Sequence, residues 1–526
     1  MPGWHRFITL AVLAVLPLAC TPSTSTPEVT STRGAPRPAA APASAPAASV
    51  PAGPPGFVGD DGTGIGGEPR RRPDRVAILS LLRANRFGDL DRWIAHYQGE
   101  FEADPRNEPW ALDAFASFSI ADPTLAAPLD AWVASAPSSF APYAARGAWR
   151  MATGLAIRGG DFATKVPEAD MHAMQGHLAA ARADLGQAVA HNPKAIAALV
   201  DLTVIAKFAG DAATARKHYE AAIAACPGCY EPRAQFLTTL EPRWGGSYAA
   251  MDAFVAAIAP LVAQHPKLAL LAGFVPWDRC RAAAAKSPTN ALALCNEALI
   301  PGDEPRFLAT RARLHTDAKR AANAREDLDR LLRIAPHDRD ARWSRHFMRR
   351  DAGDILGAAE DLVLARAIDP AATTDAESVA WMVAKLRYDG DALGKTKPDE
   401  AARYFSLAAS LAPDDKDLVE RQAWNAAAIG VDELAGRVAA APEDYELRLQ
   451  LDHALATKRR FPEVIASWDD YLARKPEDAR GYKERAGAKW QAGQREAGIA
   501  DMDAACKLGD AIACRDAPKM RARLAR

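Results

Sequence analysis

The sequence predicts an all-α protein, a solenoid of helical hairpins that follows a disordered tether. Three observations carry this expectation. Beyond residue 75, alanine-rich amphipathic segments of 12–18 residues alternate with Gly and Pro, and the period-two pattern of strands is almost absent. Prolines recur at positions 193, 227, 266, 301, 336, 370, 413, 442 and 476, at intervals of 34, 39, 35, 35, 34, 43, 29 and 34 residues. Self-similarity near one fixed period marks stacked repeats. Residues 21–75 stand apart: thirteen prolines fall in the first 75 positions, and too few large apolar side chains remain to offset the entropy of ordering.

The chain opens with the basic "MPGWHRF", a run of twelve mostly apolar residues "ITLAVLAVLPLA" at 8–19, and Cys20. The run is too short to span a bilayer and has the layout of a secretory signal. "LPLAC" resembles the lipobox of bacterial lipoproteins. That resemblance implies a signal peptide at 1–19, cleavage before Cys20 and lipid attachment to its sulfur. Thr21, where an inner-membrane retention aspartate would stand, implies the periplasmic face of the outer membrane. Ordinary secretion is the alternative. Residues 20–75 then form the tether, reaching about 40 Å as mixed coil. Within it "GTGIGG" (62–67) fits a dinucleotide fingerprint only formally, because no apolar strand precedes it.

The repeat interior agrees with its punctuation. In 337–370, Gly353-Asp354 marks an inter-helix turn, followed by Ala358, Ala365, Ile368 and Pro370; 194–227 repeats the pattern with Gly210-Asp211, Ala215, Tyr219, Ala222 and Pro227. "PDEAARYFSLAASLAP" (398–413) matches a second helix throughout. These residues resemble tetratricopeptide (TPR) repeats, paired antiparallel helices in which small residues allow close approach and proline ends the second helix. We expect an irregular TPR-like domain over 76–265, a TPR array over 266–518 and a basic tail at 519–526. "YDGDALGKT" (388–396) reads as an inserted loop, and the 29-residue interval as a clipped hairpin near "AAIGVDELAGR". Arg345 and Arg485 stand where the family usually buries leucine.

Export changes how cysteines are read, since disulfides persist outside the cytosol. With Cys20 lipidated, six remain, in three local pairs: Cys226 with Cys229, Cys280 with Cys295, Cys506 with Cys514. Cys226-Pro-Gly-Cys229 has the spacing of a redox-active pair. Yet Cys226 ends a helix, where the dipole disfavours thiolate, and no βαβ pattern accompanies it. A structural staple is the expected role, with thiol-disulfide or redox-chaperone activity as the alternative.

Between 76 and 260, Arg146-Gly147, Arg158-Gly159-Gly160 and the string Pro242-Arg243-Trp244-Gly245-Gly246-Ser247 resemble an uncharacterised bacterial domain family built on TPR-like hairpins. The resemblance implies architecture only. Arg146, Arg158, Arg243 and Trp244 form a possible ligand cluster, for a glycan-binding or hydrolytic role.

Elsewhere the chemical templates are missing: no H-E-x-x-H, G-x-S-x-G or G-x-x-x-x-G-K-[ST] occurs. No catalytic group, metal or cofactor is expected. Basic and acidic residues balance, 65 against 66, which argues against a nucleic-acid binder. Partner binding remains. The TPR resemblance places Trp343, Phe347, Arg350, Arg306, Arg313, Lys483 and Trp490 on the inner face, where aromatic and arginine side chains act as anchors. The expected function is a lipid-anchored scaffold or adaptor for envelope proteins or peptides.

Overall fold

The computed structural model describes residues 55–160, 163–370, 375–393, 398–418, 421 and 431–524. Cys20, the lipobox and most of the tether lie outside these residues. The chain is all-α, a TPR-like hairpin solenoid, and two compact units divide it. The first takes in residues up to 348 with 364–374, the second 349–363 with 375–526.

The first unit contains α1 (Arg75–Arg83), α2 (Phe87–Ala103), α3 (Glu108–Ala116), α4 (Ala126–Ser135), α5 (Phe140–Arg158), α6 (Glu168–His191), α7 (Ile196–Phe208) and α8 (Ala212–Ala225). It continues through α9 (Glu231–Thr239), α10 (Tyr248–Ile258), α11 (Phe274–Ala283), α12 (Pro288–Ala298), α13 (Pro305–Asp317), α14 (Ala321–Ile334) and most of α15 (Arg339–Asp351). The second unit contains most of α16 (Ile355–Ile368), then α17 (Ala376–Leu393), α18 (Pro398–Leu411), α19 (Val431–Ala440), α20 (Tyr445–Thr457), α21 (Phe461–Arg474), α22 (Ala479–Gln491), α23 (Arg495–Lys507) and α24 (Ala511–Leu524). Among the described residues, no helix is long and apolar enough to cross a membrane.

One turn recurs between the helices of several hairpins. A residue in the left-handed region is followed by the N-cap of the next helix: Asn85, Gly210, Lys319, Gly353, Arg459 and Gly493 fill that place, and Gly509 fills it between α23 and α24. The amide after it reaches back to a carbonyl five residues earlier, as from Asp211 to Ala206 and from Arg320 to His315. Glycine signals this turn in sequence; Lys319 and Arg459 adopt the same φ against the usual preference of L-residues, so their turns are silent.

Two cores occupy the first unit. Trp93, Phe118 and Trp132 centre one among α1–α7, and Phe274, Phe307 and Leu331 centre another among α9–α15. In the second unit Leu434, Trp468 and Tyr471 pack between α19 and α22.

Two expectations are corrected. The tether does not extend to residue 75. Phe57–Val58 pairs antiparallel with Arg72–Pro73, and Phe57 packs against Tyr97 and Trp110 at ring distances of 5.4 and 4.6 Å. Trp110 Nε1 donates to the Arg71 carbonyl (2.8 Å) and Tyr97 Oη to that of Gly56 (2.7 Å). The inserted "loop" at 388–396 is not a loop in its described part: α17 runs on to Leu393, because Met382, Leu386 and Gly390 continue one buried stripe at helical spacing.

Candidate interaction surface

The first helices carry a repeated ionic device. Arg311 of α13 forks onto Asp327 of α14 (Nε–Oδ2 2.9 Å, Nη2–Oδ1 2.5 Å) and donates to Asn296 of the preceding second helix, α12. Arg485 of α22 repeats this with Asp501 of α23 and Asp469 of α21. Arg345 of α15 reaches Asp329 of α14 at 2.7 Å. Arg146 of α5 pairs with Asp184 of α6 and with Asp130 of α4. At Arg146, Arg311 and Arg485 a planar guanidinium therefore ties one hairpin internally and to a preceding helix, and Arg345 makes the tie to its predecessor. This is why arginine stands where a TPR helix usually buries leucine at Arg345 and Arg485.

Arg146 is thus committed, and the structure does not join it to Arg158 and Arg243. These two do converge with Trp244. Arg158 lies over Phe208 (5.8 Å), Phe208 meets Trp244 edge-on (5.1 Å), and Arg243 lies over Trp244 (5.6 Å). The Pro242–Ser247 string is explained by packing. Gly245 has φ +89°, a Cβ on Gly246 would fall 2.1 Å from the Leu240 carbonyl oxygen, and Ser247 caps α10 through the Ala250 amide.

Around this turn lie charged residues the sequence reading missed. Lys207, at the end of α7, donates to Thr238 of α9 (3.0 Å) and sits 5.5 Å from the Trp244 ring. Glu241 is fully buried, accepts from Arg243 Nε at 2.7 Å through Oε2, and forms an ion pair through Oε1 with Arg281 of α11 at 2.9 Å. Arg281 also pairs with Asp278 and covers Trp277 at 3.9 Å. Trp277 Nε1 donates to Thr310 of α13 (2.8 Å), and Arg306 of α13 bonds Glu231 of α9 and Glu304. Each side chain rises from a first helix or from the turn behind α9, so one continuous face runs from α7 to α13. Burial pulls the Lys207 ammonium down to about 8, reinforced by the arginines and opposed by Glu241. The signal was present: Lys207 and Asp201 interrupt the otherwise apolar "IAALVDLTVIAKF". Burial also raises Asp201 to about 7.

The other predicted contact residues scatter. Arg306 is held between two carboxylates and Arg313 is exposed. Trp343 stacks near His346 (5.8 Å) and meets Phe347 edge-on (5.2 Å). In the second unit Arg350 lies over the exposed Trp381 ring (5.6 Å), Lys483 pairs with Asp510 (3.6 Å), and Arg495 lies over Trp490 (5.6 Å).

The six cysteines form Cys226–Cys229, Cys280–Cys295 and Cys506–Cys514, with Cα separations of 5.4, 5.4 and 4.6 Å. Around the first, every motif residue has a structural reason. Cys226 caps the C-terminus of α8, and a Cβ on Gly228 would fall 2.5 Å from the His265 ring. Arg233, 3 % exposed, holds the carbonyls of Pro227 and Cys229. Cys226 and Cys229 are 2 % and 1 % exposed. A buried disulfide clamped in this way offers no approach to a client thiol.

No protein-family model matches the chain, and comparison with curated proteins finds no relative. Among solved structures it is similar to the P58(IPK) TPR domain, with 13 % identity and TM-score 0.21, covering 82 % of this chain and 98 % of that one. It is also similar to a tetratricopeptide repeat protein from Parabacteroides merdae, with 15 % identity and TM-score 0.19, covering 62 % and 98 %. Yeast Tom70 shows 11 % identity and TM-score 0.21, covering 82 % and 96 %. Scores this low carry no argument about function.

Proposed function

We propose that this chain is a lipid-anchored scaffold of the bacterial envelope that binds other proteins or peptides rather than catalysing a reaction. The face shared by α7, α9, α11 and α13 carries this reading. Its arginines are held by ion pairs, and Lys207 and Trp277 by hydrogen bonds to Thr238 and Thr310, so little side-chain entropy remains to be lost on binding. Its four cations, Lys207, Arg243, Arg281 and Arg306, stand among four carboxylates, Glu231, Glu241, Asp278 and Glu304, so the face offers placed aromatic and charged side chains of both signs to a partner. The address rests on the Cys20 lipobox alone. The redox and glycan alternatives gain nothing from the geometry, given the enclosed Cys226–Cys229 pair and the diversion of Arg146.

The test is in-cell photo-cross-linking of the full chain from Arg313, exposed on α13, and from Arg325, half-exposed on the second helix α14. Recurrent protein adducts from Arg313 alone support the inner face. Adducts from Arg325 alone would move the binding face, and glycan adducts would overturn the scaffold reading. Fractionation of Cys20→Ser checks the anchor: the variant should leave the membrane fraction, and unchanged retention would refute lipidation.

A further inference from the structure

The three disulfides are not equivalent. Cys280 and Cys295 are fully buried, and Cys226 and Cys229 nearly so. Cys514, by contrast, is exposed and Cys506 only partly covered. Two apolar side chains flank this pair on the surface, Leu508 at 44 % and Ile512 at 49 % exposure. Protein dithiols engage a disulfide by contacting apolar surface beside an accessible sulfur, and both conditions meet here alone among the described cysteines.

The bond also holds a weak element. α24 packs on α23 through a strip of small residues, Ala513 and Ala517 against Ala505 and Met502, with Ala486 behind. Pro518 lies inside α24. It lacks the N–H that would bond the Cys514 carbonyl four residues back, so the helix is weakened at the cysteine itself. A fourteen-residue helix with so small an apolar interface is marginal without further fastening. Outside the strip, α24 is fastened by the mostly covered pair Lys483–Asp510, the half-exposed pair Arg521–Asp503, the partly buried Met520 and the disulfide.

We propose that Cys506–Cys514 is a reducible latch: a dithiol opens it, and α24 then leaves the strip formed by Ala486, Met502 and Ala505. The thiolate of the dithiol attacks Sγ of Cys514, the S–S bond breaks, and Cys506 departs as thiolate and takes a proton from solvent. The second thiol of the reductant attacks the mixed disulfide and frees Cys514. Two electrons and two protons pass to the cysteines, and the dithiol becomes a disulfide.

The experiment is a dithiothreitol titration of the native full-length chain, with rapid alkylation and peptide mass mapping, followed by hydrogen exchange. Cys506 and Cys514 should label at reductant levels at least tenfold below those needed for the other two pairs. Exchange in α24 and over Met502–Ala505 should then rise at least tenfold, while α20 and α21 hold. Cys506→Ser/Cys514→Ser should show the raised exchange without reductant. First labelling of either buried pair overturns the assignment. Selective reduction with unchanged exchange, or a double variant that exchanges like the oxidised chain, overturns the latch.

Discussion

At the scale of single residues, this solenoid uses arginine where hydrophobic packing would serve. Asp327 is 1 % exposed and depends on the Arg311 fork, since Arg330 approaches only to 3.6 Å. Arg311→Leu should lower stability by about 3 kcal/mol, because a buried carboxylate is left without its main partner, while adding Asp327→Leu should recover at least half. Denaturant midpoints of the four-member cycle measure this, and a double variant no better than the single would show that the pair does not act as a unit. Asp452 gives a pH signature. It is 8 % exposed, accepts from Trp468 Nε1 at 2.6 Å, and is pushed up by burial from 3.8 to about 6. A raised carboxylate favours the folded state below its unfolded value, and that contribution is lost as pH climbs through about 4 to 6. Between pH 4 and pH 7 the wild type should therefore lose about 2 kcal/mol relative to Asp452→Asn, which cannot ionise. Parallel pH profiles would contradict the assignment.

At the scale of elements, the ribbon of residues 57–73 was invisible beforehand because no strand pattern marks it. Two residues on each side pair, and aromatic rings of α2 and α3 hold them from outside. An isolated two-stranded ribbon is marginal in water, so its order belongs to Phe57 and its neighbours. Phe57→Ala should cost the ribbon about 2 kcal/mol, opening it roughly thirty-fold more often. Timed tryptic cleavage after Arg70 or Arg71 reads that opening directly, and an unchanged rate would mean that Phe57 is not what holds it. The helices were far more legible. Gly210 and Gly353 announced their turns, whereas Lys319 and Arg459 adopt the same backbone without an announcing residue. The α17 extension was hidden by "YDGD", whose polar letters suggest a loop while Gly390 sits on the buried stripe against Phe405.

At the scale of the whole molecule, hairpins in each unit contact chiefly their neighbours, so stability is a sum of local terms and not one cooperative block. Trp468→Ala removes a fully buried side chain from the second unit and should cost about 3–5 kcal/mol. Hydrogen exchange should quicken in α20–α23 and stay unchanged in α1–α7; uniform acceleration along the chain would disprove local summation. The sequence by itself determined the fold class, the hairpin period and the local cysteine partners, because amphipathic spacing and proline punctuation act over a few turns of one chain. It also placed Arg158, Arg243 and Trp244 in one motif-bearing region. Only the tertiary structure decided that Arg146 ties hairpins together, that Lys207, Glu241 and Arg281 gather around Trp244 and its turn, and that one disulfide lies open. Those outcomes depend on which side chains from distant hairpins meet and what covers them, and no local pattern in the chain encodes burial at that range.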